Sequence, residues 1–276
     1  MNKKAYLICL LLFFIACNSD KKQANAYLVN AQKLYEQGEY VSAKSQLDSI
    51  NELFPKEFGV RKQSLQLKRR IEIKEQEQHL IFCDSMLNVR LAEFEAMKSG
   101  FIFEKDPVYD DIGKYLDKSQ QIEVKLQSSY IRTQVNELGE ILFSSVYYGS
   151  RPIRHSQLKV SKSNGDYTET LNIPYDGGLN YTFVDGGMTT EVVTYTQGKD
   201  NGVIQFIYNN KESALKAELS GNGKTAFTIS AVDKNALIKI YDFATVLADI
   251  DRLKKEIEKS SHRLIYLEAK LASDNE

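Results

Sequence analysis

The chain has 276 residues, of which 36 are lysine or arginine and 37 are aspartate or glutamate, giving a formal net charge of −1 at pH 7. A nearly neutral chain lacks the basic excess that attracts a nucleic-acid backbone, so we expect no nucleic-acid partner. The length is sufficient for one large domain or two small domains with real hydrophobic cores.

The first residues have the features of an export signal. Lys3 and Lys4 precede an uncharged apolar segment, residues 5–15, which is far shorter than the ~20 residues that a membrane-spanning helix needs. The segment is followed by Ala16 and Cys17, and the sequence then becomes polar. Residues 1–16 are therefore predicted to be a signal peptide rather than a membrane span.

The stretch Ile15-Ala16-Cys17 resembles the lipobox of bacterial lipoproteins, and the polar residues after it resemble those of uncharacterised lipoproteins of the Bacteroidota. The resemblance implies that Cys17 carries the lipid, that residues 17–25 form a lipidated tether, and that the lipid bilayer is a partner. Asn18 is not the aspartate that commonly retains lipoproteins at an inner membrane, which favours the outer membrane of a cell envelope. Its periplasmic and surface faces remain open alternatives.

A helical hairpin is predicted at residues 26–55. The stretch "YLVNAQKLYEQGEYVSAKSQLDSINELFP" places small residues, Ala31 and Ala43, on the facing sides of two helices, and Gly38 at the turn between them. It resembles one tetratricopeptide repeat along its full length. The pattern does not recur downstream, so this hairpin must pack against another part of the chain.

Two long helices are predicted outside the middle of the chain. Residues 56–100 contain no proline. Residues 236–273 contain an uninterrupted seven-residue repeat whose positions are apolar except for one serine. Because a long helix must bury its apolar stripe, we expect the two helices to form an antiparallel, coiled-coil-like pair. The repeat positions are Phe243, Val246, Ile250, Leu253, Ile257, Ser260, Leu264, Leu267 and Leu271.

The middle of the chain, residues 120–232, is predicted to be an antiparallel β domain. Nine short runs alternate apolar and polar residues, the seventh being "GVIQFIY" at 202–208, and glycine-containing turn signals separate them. This spacing indicates a sandwich or a barrel, and the pattern leaves both open. The predicted fold class is therefore α+β, with the β domain inserted between the two long helices.

The best candidate for a binding edge is the stretch "YYGSRPIRHSQ", residues 147–157. Tyrosine and arginine dominate recognition hot spots, and they surround a proline loop here. The alternative is a plain crossover between strands, with tyrosine rings in the core and arginines in solvent. The candidate binding residues are Tyr147, Tyr148, Arg151, Arg154 and His155.

A second candidate is the doublet of Asp-Gly-Gly turns in "YDGGLNYTFVDGGMTTE". It could present Asp176, Asp185 and Glu191 to a cation or a sugar, but hairpin turns explain the same residues without a ligand. The histidines are far apart, no metal-binding or nucleophile motif is present, and Cys83 is expected to be a buried structural thiol. We therefore expect no catalytic residues, no metal and no cofactor.

These features predict a non-enzymatic interaction or scaffold protein of the cell envelope, in which a helical stalk presents a β domain to another envelope protein. The alternative is a glycan-binding surface module. A concave strand face lined with tyrosine favours a glycan, whereas a flat or convex face favours a protein. The absence of tryptophan argues against the glycan, and the 16 tyrosines keep it open.

Overall fold

The computed structural model describes residues 3–108, 110–121 and 127–274, with side chains described from Ser19 onward. The described part combines helices with antiparallel sheets, so the predicted α+β class is confirmed. The chain divides into two compact units. The first contains Met1–Ser85 and Lys255–Glu276, and the second contains Met86–Lys254.

Five α-helices are found in the described residues, and two of them exceed forty residues. They are α1 (Lys3–Glu36), α2 (Tyr40–Leu53), α3 (Phe58–Lys98), α4 (Val203–Asn209) and α5 (Ala231–Ser273). A short 3₁₀ helix covers Lys118–Gln120. Within the part of the chain that the structure describes, no helix combines the length and the apolar character that a membrane span needs.

The strands belong to two antiparallel sheets in the second unit. The first sheet has the order β1-β2-β3-β4-β8-β7, and the second has the order β10-β9-β5-β6. The strands are β1 (Phe101–Glu104), β2 (Lys114–Asp117), β3 (Tyr130–Asn136), β4 (Ile141–Gly149), β5 (Gln157–Lys162), β6 (Tyr167–Glu169), β7 (Asn180–Asp185), β8 (Met188–Tyr195), β9 (Leu215–Ser220) and β10 (Lys224–Thr228).

The first unit is built around the helical hairpin. Ala31 of α1 and Ala43 of α2 are fully buried, which lets the two helices approach closely, and Gly38 turns between them at φ +79°. Their apolar faces share one core with the first half of α3, where Leu67 and Ile71 are buried. The hairpin is therefore completed by α3 rather than by a second repeat.

Polar contacts within the first unit connect α3 with the end of α5 in opposite chain directions. Glu72 pairs with Arg263 at 2.9 Å, and His79 Nε2 lies 3.6 Å from a Glu256 carboxylate oxygen. Leu267 and Ser260 of α5 are buried, in register with the predicted seven-residue repeat. Cys83 is buried, with its Sγ 3.5 Å from His79 Nε2.

In the second unit, both sheets contribute to one core. Ile131, Phe143 and Val193 of the first sheet belong to the same buried cluster as Leu158 and Leu219 of the second sheet. A smaller cluster lies where α5 begins. There the Phe243 ring stacks on the rings of Phe94 and Phe101, at centroid distances of 5.6 and 4.4 Å.

The structure differs from the sequence-based boundaries in several places, of which the strand boundaries and one helix in the β domain come first. Strands begin at Phe101 rather than near residue 120, because β1 and β2 are too short to show an alternating pattern. The run 202–208, predicted as a strand, forms α4, because Val203, Ile204 and Ile207 lie on one buried helical face. The carboxylate of Asp200 accepts the N–H of Gly202 at the start of that helix.

Residues 17–25, predicted as a tether, lie within α1. The polar residues after Cys17 include no proline or glycine, and the side chain of Asn25 bonds one turn back to the Lys21 carbonyl, so they are compatible with a helix. The Cys17 side chain lies outside the described side chains, and its lipidation stays a prediction.

Candidate functional site

Two neighbouring tyrosines of the predicted binding edge point in opposite directions. Both lie on β4, where successive side chains alternate between the faces of the sheet. Tyr147 is buried, and its hydroxyl donates to the carbonyl oxygen of Arg151 at 2.7 Å. Burial raises the pKa of Tyr147. Tyr148 is half-buried and faces the opposite side of the sheet, away from the core.

His155 is fully buried, and its ring is fixed by Glu191. The imidazole Nδ1 lies 2.8 Å from the Glu191 carboxylate, which also accepts the backbone N–H groups of Ile153, Arg154 and His155 at 2.8, 2.7 and 2.8 Å. Burial alone would raise the pKa of Glu191. The bonds from the His155 ring and from these backbone groups outweigh burial and hold that pKa below its usual value.

The hydrogen-bonded chain continues on the other side of the His155 ring. Nε2 lies 3.0 Å from Ser145 Oγ, which is 3.2 Å from the Tyr195 hydroxyl. Burial raises the pKa of Tyr195 to about 12. The order serine, histidine, carboxylate is that of a hydrolase triad, but Ser145 is fully buried in mid-strand, where no substrate carbonyl can reach its hydroxyl. In this conformation the network can position the 151–155 loop.

Arg154 is exposed and has a left-handed backbone conformation, φ +49°. Such a conformation is unfavourable for a residue with a Cβ atom. It is stabilised here because the Glu191 carboxylate accepts the N–H groups of both Ile153 and Arg154. Arg154 lines a cavity of about 550 Å³, which we call the edge cavity. Its other lining residues are Pro152, Ser156, Tyr175, Asn180, Thr182, Val184 and Thr189.

A second opening, which we call the sheet groove, crosses the face of the first sheet that points away from the core. It has a volume of about 480 Å³ and extends over β3, β4, β8 and β7. Val146 and Val192, which are paired across β4 and β8, line it. Its rings come from Tyr130, Tyr148, Tyr181 and Phe183, and its other lining residues are Gln127, Ser128, Arg132, Gln134, Ser144, Asp185, Thr190 and Thr194.

Arg132 supplies a charge inside the sheet groove. Its Nη2 lies 3.9 Å from the Glu104 carboxylate, a distance at the limit of an ion pair. Its Nε is buried and has no hydrogen-bond partner among the residues that the structure describes. Arginine beside tyrosine rings is a combination of residue types enriched at the energetic centres of recognition surfaces.

The Asp-Gly-Gly doublet forms turns, as its structural interpretation predicts. Asp176 Oδ1 accepts the N–H groups of Gly178 and Asn180, both at 2.9 Å, and these bonds lower its pKa. Gly186 and Gly187, at φ +54° and +78°, close the two-residue turn between β7 and β8. No group of three or more potential metal ligands occurs in the described part of the chain.

The structure therefore separates the five candidate binding residues. Tyr148 lines the sheet groove and Arg154 lines the edge cavity, whereas Tyr147 and His155 are in the core and cannot touch a ligand. Arg151 is exposed and lines neither opening. Sequence reasoning missed Arg132, Tyr181 and Phe183 as lining residues, although the alternation along their strands signals that they share a face.

Comparison with known proteins gives no assignment. No family model, curated protein or solved structure matches this chain.

Proposed function

We propose that this chain is a non-enzymatic interaction protein of the cell envelope, anchored in the outer membrane through a lipid on Cys17, and that its second unit recognises another envelope protein. The observation that carries the proposal is the sheet groove. Its tyrosine rings and the Arg132 guanidinium are the residue types that contribute most to protein recognition.

The proposed layout is the one that the sequence predicts: two long helices form an antiparallel pair, and a β domain is inserted between them. The pairing of Glu72 with Arg263 supports it in the first unit. The pairing of Arg90 with Asp249, at 2.9 Å, supports it in the second. A helical pair of this kind serves to present a domain rather than to perform chemistry.

The anchor can be tested by mass spectrometry of the mature N-terminus. We expect an acylated peptide that begins at Cys17, and we expect Cys17→Ala to accumulate as an unprocessed precursor. An unmodified mature peptide that begins at another residue would contradict the anchor.

The binding function can be tested by crosslinking in intact cells, followed by purification of the full-length chain. Tyr148→Ala combined with Tyr181→Ala should abolish the specific crosslinks, because it removes two rings from the sheet groove. Tyr266→Ala is the matched control, since this tyrosine is half-exposed on α5 in the other unit. Crosslinks that survive in the double variant would show that the groove is not the site.

A glycan is the second candidate, and the shape of the sheet groove favours it. The groove is concave and lined with tyrosine, and Ser144, Thr190 and Thr194 add hydroxyl groups that could bond to a sugar. A glycan array with the same full-length chain and the same variants separates the two functions. Specific polysaccharide binding without a protein partner would replace the first candidate by the second.

A further inference from the structure

Strand β7 forms one end of the first sheet. It pairs with β8 on one side, and no other strand of the described residues follows it in the sheet order. The N–H of Thr194 donates to the carbonyl of Leu179 at 2.7 Å, directly before the strand. Because hydrogen-bonded pairs alternate along antiparallel strands, the main-chain groups of Tyr181 and Phe183 face β8, and those of Thr182 and Val184 face outward.

The outward main-chain groups of Thr182 and Val184 make no hydrogen bond to any described residue. Those of Asn180, the first residue of the strand, are already used, since its carbonyl accepts the N–H groups of Asp176 and Gly177. The free edge therefore offers two N–H donors and two carbonyl acceptors, which match one short extended segment.

This edge has little of the protection that proteins usually give to exposed strands. Asn180–Asp185 contains no lysine and no proline, and its one charge is at the last position. Phe183 and Val184 remain 49% and 68% exposed, so apolar surface is offered on both faces of the same strand. An open, apolar edge of this kind favours the addition of another strand.

The two openings lie on opposite sides of this strand. Thr182 and Val184 line the edge cavity, whereas Tyr181 and Phe183 line the sheet groove. An extended segment that pairs with Thr182 and Val184 would send alternate side chains to the two faces. Every second side chain would therefore meet the edge cavity, and those between would meet the rings of the sheet groove.

The charge at the edge cavity indicates which side chains of an incoming segment would fit there. Arg154 is the one charged residue that lines the edge cavity, and it forms no ion pair with any residue the structure describes. Two acidic groups of this region are engaged in other contacts: Glu191 accepts the N–H groups of the loop backbone, and Asp176 accepts the N–H groups of its own turn. An acidic side chain on the incoming segment would complement Arg154, and an apolar one would suit Phe183.

We infer that the partner protein binds as an extended segment added to β7, with acidic side chains facing Arg154 in the edge cavity and apolar side chains facing Tyr181 and Phe183 in the sheet groove. This inference rests on the proposed recognition of a protein, and it specifies how that partner is bound. Main-chain hydrogen bonds supply the affinity, and the alternating pattern supplies the specificity.

The test probe is a random peptide library displayed on phage and selected against the full-length chain. We expect enriched peptides to alternate acidic and apolar residues. A synthetic enriched peptide should bind at least about tenfold more weakly when its backbone is N-methylated at alternate residues, because the shared hydrogen bonds are removed. Val184→Pro should weaken binding similarly, since it removes an outward N–H that the sheet does not use. Val184→Thr is the matched control and should retain binding.

The charge contact is tested separately. Arg154→Gln should weaken binding of the acidic peptide by about tenfold. Arg151→Gln changes an exposed arginine outside both openings and should leave that binding unchanged. The inference is overturned if no peptide is enriched, or if binding is unaffected by both Val184→Pro and N-methylation. If cellular crosslinks to a protein persist in Val184→Pro, the proposed function stands and strand addition fails. If a polysaccharide binds and no protein does, both fail.

Discussion

Replacement of the buried carboxylate at Glu191 is the most direct test of the network beneath the 151–155 loop. In Glu191→Ala the backbone N–H groups of Ile153, Arg154 and His155 lose their acceptor, and the His155 ring loses its partner. An unsatisfied buried donor costs about 1–3 kcal/mol, and loss of one member of a buried pair costs about 3–5 kcal/mol. We expect the free energy of unfolding of the second unit to fall by about 4 kcal/mol.

For a unit of about 170 residues, that loss corresponds to a decrease of roughly 8–16 °C in the unfolding midpoint. Hydrogen exchange read by mass spectrometry localises the effect, because peptides covering residues 153–155 should lose protection first. Glu212→Ala removes an exposed carboxylate on a loop and should change stability by less than about 0.5 kcal/mol. An unchanged midpoint, together with unchanged protection of residues 153–155 in Glu191→Ala, would refute this account of the network.

The same carboxylate gives stability a defined pH dependence. Its pKa in the folded chain is lowered below the ordinary value of 4.5, so the unfolded chain takes up the proton first on acidification. The contribution of Glu191 is fully present above about pH 4.5 and is lost as the pH falls through the lower folded pKa. Urea unfolding should therefore show that Glu191→Gln has a lower free energy of unfolding than the natural chain. The difference should be constant near neutral pH and should shrink below about pH 4.5.

Three further substitutions test packing in the two units. Gly139→Ala should lower the free energy of unfolding by about 2 kcal/mol or more, because φ is +81° and the new Cβ would clash with the α5 backbone at Ala248. Gly165→Ala, at φ +97° in open space, should lower it less, as thermal unfolding would show. Phe243→Ala should cost about 3–5 kcal/mol in urea unfolding, because its ring is fully buried among other rings. Leu267→Asp, at a position 2% exposed, should increase proteolysis of the first unit, whereas Ile265→Asp, at 64% exposed, should not.

Patterns of fixed period account for most of what the sequence could predict. Phe243 and Ile250 are buried seven residues apart, and so are Leu253, Ser260 and Leu267, because a helix returns to nearly the same face at that interval. The small residues Ala31 and Ala43 identified the helical hairpin for a similar reason, since close approach of two helices requires them. Such signals are local and can be read without knowing the fold.

The α4 helix shows where local patterns are insufficient. Its run of β-branched and aromatic residues favours a strand by intrinsic preference. Burial of Val203 and Ile207 on one face, together with the Asp200 side chain at its start, stabilises a helix instead. Tertiary packing therefore outweighed the intrinsic preference, and the sequence of the run alone does not show which side chains are packed.

The site depends on contacts that sequence distance conceals. Glu191 lies 36 residues from His155, and the chain carries no motif that links them. The alternation along β4 indicates that Tyr147 and Tyr148 face opposite sides, but which one is buried depends on where the second sheet packs. The free edge at β7 likewise follows from the order of strands in the sheet, which local patterns do not specify.

The buried network and the proposed binding edge are connected through one residue. Arg154 keeps a left-handed backbone because Glu191 binds its N–H and the N–H groups on either side of it. This fixes the starting direction of the Arg154 side chain before any partner arrives, so less conformational entropy is lost on binding. A flexible loop would offer the same guanidinium at a greater entropic cost. If β7 binds a partner as proposed, the buried Glu191 carboxylate contributes beyond stability, since it fixes the backbone from which the Arg154 side chain extends into the edge cavity.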